Sequence, residues 1–390
     1  MTAEVVPGPA RSLYLHIPFC TQRCHYCDFA IQVGGGDLQD RYLQALLEEL
    51  RWLVEARVPA PLESVFLGGG TPSLLRPDLL ERLLQAVVAG FGLAPQAEVT
   101  IEANPEGVSS EGVRLWASLG INRVSLGVQS LEDDTLRWLG RSHDAAQAER
   151  ALAVLRRGSI AALSCDLIYA VPGQDAATFE GGLRRVLEFQ PEHVSCYELT
   201  VEPGTPLARG VAAGRRQSPQ VEDFLEQRRL AVAVLGEAGL GQYEVSNYAR
   251  PGWESRHNLV YWQGGPYLAA GSGAHGFLGP AEAAGLGFEG TGAALRYWHL
   301  RNASSYMRSV GDGSRGLRGH EWLTPEDLAL ERLACGLRLA AGVELQTSAQ
   351  LRTAAHLQGL GLLEFSGGRV RATSNGVDVL DRLTLELAAI

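Results

Sequence analysis

Three thiols, Cys20, Cys24 and Cys27, stand in the stretch CTQRCHYCDF, with His25 and Asp28 as the nearest additional donors. Thiolate is the form that binds metal or attacks an electrophile, and a cell interior keeps thiols reduced. A cluster this tight is therefore expected to hold a metal or a reactive centre before it forms a disulfide. Zinc sites usually collect four ligands in two separated pairs, which the 3-and-2 spacing does not match. A [4Fe–4S] cube fits better, because three anchors leave one iron open to an exchangeable ligand. Phe29 stands where a further cysteine could have followed, and Cys165, Cys196 and Cys335 stand apart as expected small hydrophobes.

A loop of this kind has to be carried by something rigid. From Ser12 to about Thr200, β-rich runs alternate with helical patterns, as in successive βα units of a parallel sheet. The strand candidates are SLYLHI (12–17), SVFLG (64–68), EVTIEA (98–103), RVSLGV (123–128), LSCDLIYA (163–170) and HVSCYELT (193–200). Between them lie amphipathic helices such as 38–56, with acids facing out, and a further helix is expected over 221–239. The fold class is α/β, a partial (β/α)6 barrel, whose C-terminal rim carries the cysteine loop. The same rim gathers GGGTPS (68–73), Glu102, Gln129 and Asp166, a polar cup whose glycines let backbone N–H groups approach a ligand closely.

The barrel is expected over residues 1–240, a Gly- and aromatic-rich connecting region over 241–292, and a smaller helical or winged-helix-like domain over 293–390. The stretch 279–292 reads as a loop. A formal charge of −10, with every one of the 34 cations an arginine, leaves no basic stripe for nucleic acid. An RNA-modifying function is disfavoured on that ground. The start MTAEVVPGPARS lacks a basic-then-apolar leader and no stretch approaches the ~18 apolar residues of a membrane span, so a soluble, cytoplasmic protein is expected.

Cys-x3-Cys-x2-Cys after a first barrel strand resembles the radical S-adenosylmethionine (SAM) superfamily. Within it, YLHIPFC, GGGTPS, IEANP, GVQS, DLIYAVPG and EPGTP are similar to the branch containing oxygen-independent coproporphyrinogen III oxidase and the HemW-type heme chaperones. The likeness covers nearly the whole chain and weakens after about Gly292. It implies that Cys20, Cys24 and Cys27 hold the [4Fe–4S] cluster. It also implies that Tyr14, Tyr26, Gly69, Gly70, Thr71 and Glu102 line the SAM pocket, joined by Gln129, Arg141, Asp166 and Thr200.

Two stretches separate the branches. The oxidase has a further cysteine where this chain has Phe29, whereas the chaperones read Cys-Asp-Phe; HNLVYW, His257 to Trp262, is similar to their His-Asn-x-x-Tyr-Trp signature. The resemblance thus implies a heme chaperone passing haem to an acceptor hemoprotein, without coproporphyrinogen oxidase activity; the alternative is the oxidase itself. In the chaperone reading His257 offers a neutral imidazole to haem iron, Tyr261 and Trp262 offer flat apolar faces, and SAM at the cluster favours a homodimer. His275 and His16 stand open between a site role and burial with a backbone partner.

Overall fold

The computed structural model describes residues 8–388. Its centre is a run of six parallel strands in chain order: β1 (Ser12–Ile17), β2 (Leu62–Gly69), β3 (Leu93–Ala103), β4 (Arg123–Gln129), β5 (Ala162–Tyr169) and β6 (His193–Glu198). These are the six strands expected, with β3 extended five residues earlier than its sequence pattern suggested. Leu13, Leu15, Val65, Leu67, Ile101, Val124, Leu126 and Val194 are buried within them, as strands covered on both faces require. The sheet carries further strands at both edges, and among the described residues it does not close into a barrel.

Each crossover is made by helices: α1 (Leu38–Ala56), α2 (Pro77–Phe91), α3 (Ser110–Ser118), α4 (Ala145–Arg157) and α5 (Ala176–Leu187), followed by α6 (Val221–Glu237). On α1 the buried stripe is Tyr42, Leu43, Leu46, Leu50 and Leu53. The expectation that its acids face out fails at Glu49. That carboxylate is buried, accepts from the Gly271 N–H at 3.0 Å and the Tyr306 hydroxyl, and pairs with buried His299. A buried carboxylate needs such partners, and here they come from a chain segment more than two hundred residues away.

Residues 241–270 do not form a separate connector. They protect the sheet edges: β8 (Asn247–Ala249) adds antiparallel to β6, β7 (Gly241–Gln242) pairs antiparallel with β8 at the outer edge, and β9 (Leu268–Ala270) adds parallel to β1. Between them HNLVYW lies in the short helix α7 (Arg256–Trp262). Beyond lies a three-stranded antiparallel sheet, β10 (His275–Leu278), β11 (Ala294–His299) and β12 (Leu317–Leu323), which the sequence pattern did not reveal. The segment read as a loop over 279–292 contains a helix, Pro280–Gly285. Leu295, Tyr297, Tyr306 and Met307 belong to the main core, so the change to a second core falls near Leu323 rather than near residue 293.

The second core is small: Leu333, Leu337, Val343, Ala354, Leu357, Leu363, Val370, Leu383 and Leu387, contributed by helices and the hairpin Leu363–Ser366 with Arg369–Ala372. Buried Arg228 on α6 ties it to the main sheet domain through Asp378 and the Ser374 carbonyl. Among the described residues no helix is long and apolar enough to cross a membrane.

Candidate functional site

The strand ends open on a cavity of about 800 Å3. Cys20, Cys24 and Cys27 line it together with Tyr14, Tyr26, Gly69, Gly70, Thr71, Glu102, Gln129, Arg141, Asp166 and Thr200. These sequence-derived site residues therefore face one space, joined by Tyr261, whereas His257 and Trp262 do not line it. Period 2 along a strand explains part of this, since the last side chains of neighbouring parallel strands point to the same rim.

All three loop cysteines are unpaired and half-buried. Cys20 Sγ lies 3.7 Å from Thr71 Oγ1, Asn104 Nδ2 donates to that Thr71 oxygen at 3.0 Å, and Arg141 joins Asn104 Oδ1 at 2.5 Å to Cys24 Sγ at 3.4 Å. This polar bridge spans the cavity wall from one cysteine to another. Sequence reasoning missed Asn104, although it stands two residues after Glu102 on the same strand-end face. Burial pushes the Cys20 thiol up to about 11 and raises Cys27 as well, so their thiolates need a cation to form. Three thiols on one loop, no disulfide partner, and the Arg141 guanidinium nearby suit an iron–sulfur cluster.

The glycine loop is built for close approach. Gly69 has φ +114°, and a Cβ there would meet the His16 ring at 2.5 Å. At Gly70 the obstruction is backbone, Pro18 C at 2.5 Å. The Gly69 N–H donates to Glu102 Oε2 at 2.9 Å. Gln129 also has positive φ, at a register shift of β4 against β5, and this turns it to the cavity.

Glu102 and Asp166 are the cavity's two inner carboxyls. Burial, reinforced by Asp166, pushes Glu102 up to about 7. Burial pushes Asp166 up to about 6, against the opposing effect of the Ser195 and Ser125 hydroxyls, which donate to it at 2.7 Å and at 2.9 Å. Both folded-state values lie above the ordinary carboxyl range, so the ligand-free fold loses stability as pH rises from that range to about 7. A cationic ligand favours the ionised forms and expels their protons. Its affinity is expected to rise with pH through the same window, with proton release read by calorimetry in buffers of different ionisation heat. A pH-independent affinity would show that neither carboxyl meets the ligand.

His257 is 0% exposed and does not line the cavity. Ser64 donates to Ser12 at 2.8 Å, which leaves the imidazole Nδ1–H to donate to Ser64 at 2.8 Å and Nε2 to accept from the Tyr261 hydroxyl at 2.7 Å. Burial lowers its pKa to about 3, so the ring is neutral as expected, yet both nitrogens are committed. The expected free axial ligand is thus corrected: the imidazole lies behind Tyr261, which does line the cavity. Its helix is held from below by Glu98, which accepts from the His257 N–H at 3.0 Å and from Arg123 Nε at 3.1 Å. His16 is occupied too, by Tyr14 at 3.1 Å and the Ala30 carbonyl at 2.8 Å.

Residues 14–186 match the radical SAM superfamily, and residues 323–379 match the HemN C-terminal domain. The chain is 37% identical over 377 residues to heme chaperone HemW of Mycobacterium tuberculosis, covering 95% of this chain and 93% of that one. It is 38% identical over 335 residues to the mitochondrial radical S-adenosyl methionine domain-containing protein 1 of Bos taurus, covering 85% and 74%. Among solved structures, coproporphyrinogen III oxidase (HemN) of Escherichia coli, a radical SAM enzyme, shares the fold with a TM-score of 0.81 at 21% identity, covering 97% of this chain and 90% of that one.

Proposed function

Because the chain belongs to the HemW family of the radical SAM superfamily, we propose that it is a heme chaperone that binds haem and transfers it to an acceptor hemoprotein. Cys20, Cys24 and Cys27 hold a [4Fe–4S] cluster in this reading, and SAM occupies the adjoining cavity. The cluster, when bound, supplies an open iron for SAM and an electron. The chain's own residues orient the ligand: the Gly69–Gly70 backbone allows close approach, Glu102 and Asp166 offer carboxylates to a cationic sulfonium or amine, and Arg141 places positive charge beside the thiolates.

The observation that carries the reading is the set of three cysteines lining the cavity, followed by Phe29, 59% exposed, where the oxidase resemblance calls for another cysteine. An apolar ring at that position adds surface suited to a porphyrin, not a ligand. His257 joins the haem only if Tyr261 releases Nε2 and α7 shifts.

Haem titration of the reconstituted protein, followed by absorption, tests the proposal. A saturable Soret band is expected, together with no protoporphyrinogen from an anaerobic assay supplied with SAM, reductant and coproporphyrinogen III. Failure to bind haem would remove the chaperone function. Turnover of coproporphyrinogen would put the oxidase in its place.

A further inference from the structure

Resting on the heme chaperone reading, we infer that the haem is taken at the mouth of the cluster cavity by His275 as iron ligand, with Phe29 and Trp298 supplying apolar surface and Arg301 the cation for a propionate. Three histidines line the cavity: His16, His193 and His275. The first has both ring nitrogens engaged, as described above. His193 lies between Ser164 Oγ at 2.7 Å and the Tyr243 hydroxyl at 2.8 Å. His275 is exposed, and its side chain makes no hydrogen bond or ion pair among the described residues. Of the three it alone offers a nitrogen lone pair without first breaking a contact.

Its orientation is set by the small sheet. Register pairs His275 with Trp298 and Trp298 with Gly319. The imidazole stacks on the indole, with centroids 6.3 Å apart and planes at 21°. A Cβ at Gly319 would come within 2.9 Å of the Trp298 ring, so the absent side chain lets the indole lie flat across β12. The result is an imidazole backed by a flat aromatic surface, fixed on strands rather than on a mobile loop.

The surroundings fit an apolar dianion. Phe29 and Arg301 line the same cavity as His275, and Gly273 brings the turn before β10 against Ala30 of the cysteine loop. Arg301 donates to the Asp28 carbonyl and forms no ion pair with a carboxylate among the described residues, whereas Arg296 is neutralised by Glu321 and Glu331. Partial burial lowers the His275 pKa, with His299, Arg296 and Arg301 adding to the effect, and neutral imidazole is the ligating form.

Hemin titration of wild type, His275→Ala and His257→Ala, with absorption and electron paramagnetic resonance, separates the possibilities. His275→Ala is expected to lose haem affinity by roughly tenfold or more and to change the ligand-field bands. His257→Ala keeps the wild-type bands. Because position 275 is exposed, thermal melting of the variant should match wild type, and free imidazole should restore the wild-type spectrum to His275→Gly. Unchanged affinity and bands in His275→Ala, or a loss confined to His257→Ala, overturn the assignment. If wild type itself binds no hemin, the chaperone reading falls and the assignment with it.

Discussion

Cys24→Ala is expected to lose the cluster outright: iron after anaerobic reconstitution should fall from about four atoms per chain toward zero, and the broad visible absorption with it. The structure offers no substitute. Cys165 and Cys196 are buried in β5 and β6 with their thiols pushed up by burial, and Cys335 lies on the helix Pro325–Leu337 outside the cavity. A two-cysteine loop cannot anchor a cube whose three thiolates leave only one iron open. The loss should also free the Arg141 Nη1 that donates to Cys24, so SAM binding should weaken even in protein carrying residual iron. Cys196→Ala is the control and should reconstitute normally. Full iron content in Cys24→Ala would mean that the thiols of this loop are not the anchors.

The second large effect is expected at Glu98, whose ion-pair partner Arg123 lines the cavity. Glu98 and Arg123 form an ion pair in which each side chain is 5% exposed. The Glu98 carboxylate also accepts from the backbone N–H groups of Arg256 at 3.2 Å and His257 at 3.0 Å, and so caps the start of α7. Glu98→Ala leaves a buried guanidinium without its counter-charge and α7 without its anchor, at a cost of about 3–5 kcal/mol. Urea denaturation should show this as a lower midpoint at unchanged slope. Glu98→Gln keeps acceptor oxygen for the N–H groups and should lose less. A Glu98→Ala midpoint within error of wild type would show that the pair and its cap contribute little to the fold.

These two sites differ in how visible they were before folding. The cysteine loop is local: its spacing and its place after β1 lie within a few residues, and the rim residues Glu102, Gln129 and Asp166 sit at strand ends that hydrophobic patterning locates. Glu98 lies in the same strand as Glu102, yet nothing in EVTIEA says that one carboxylate faces the cavity and the other caps a helix 158 residues on. Asn104 was missed for a related reason, because its partners come from elsewhere in the chain, Thr71 from the turn after β2 and Arg141 from the end of the helix Asp133–Leu139. The small sheet β10–β12 escaped because its strands are separated by a helix-bearing loop and a further helix, so no hairpin signal marks them.

By itself the sequence determined the six parallel strands and their helices, the three-thiol loop and the polar rim, since periodicity and motif spacing act over short stretches of chain. Only the tertiary structure decided which side chains are free to act. Burial and hydrogen-bond partners are set by contacts across the whole chain. Ser64 and Tyr261 commit both nitrogens of His257, Glu49 is drawn inward to His299, and the side chain of His275, which sequence left open between a site role and burial, is unbonded at the cavity.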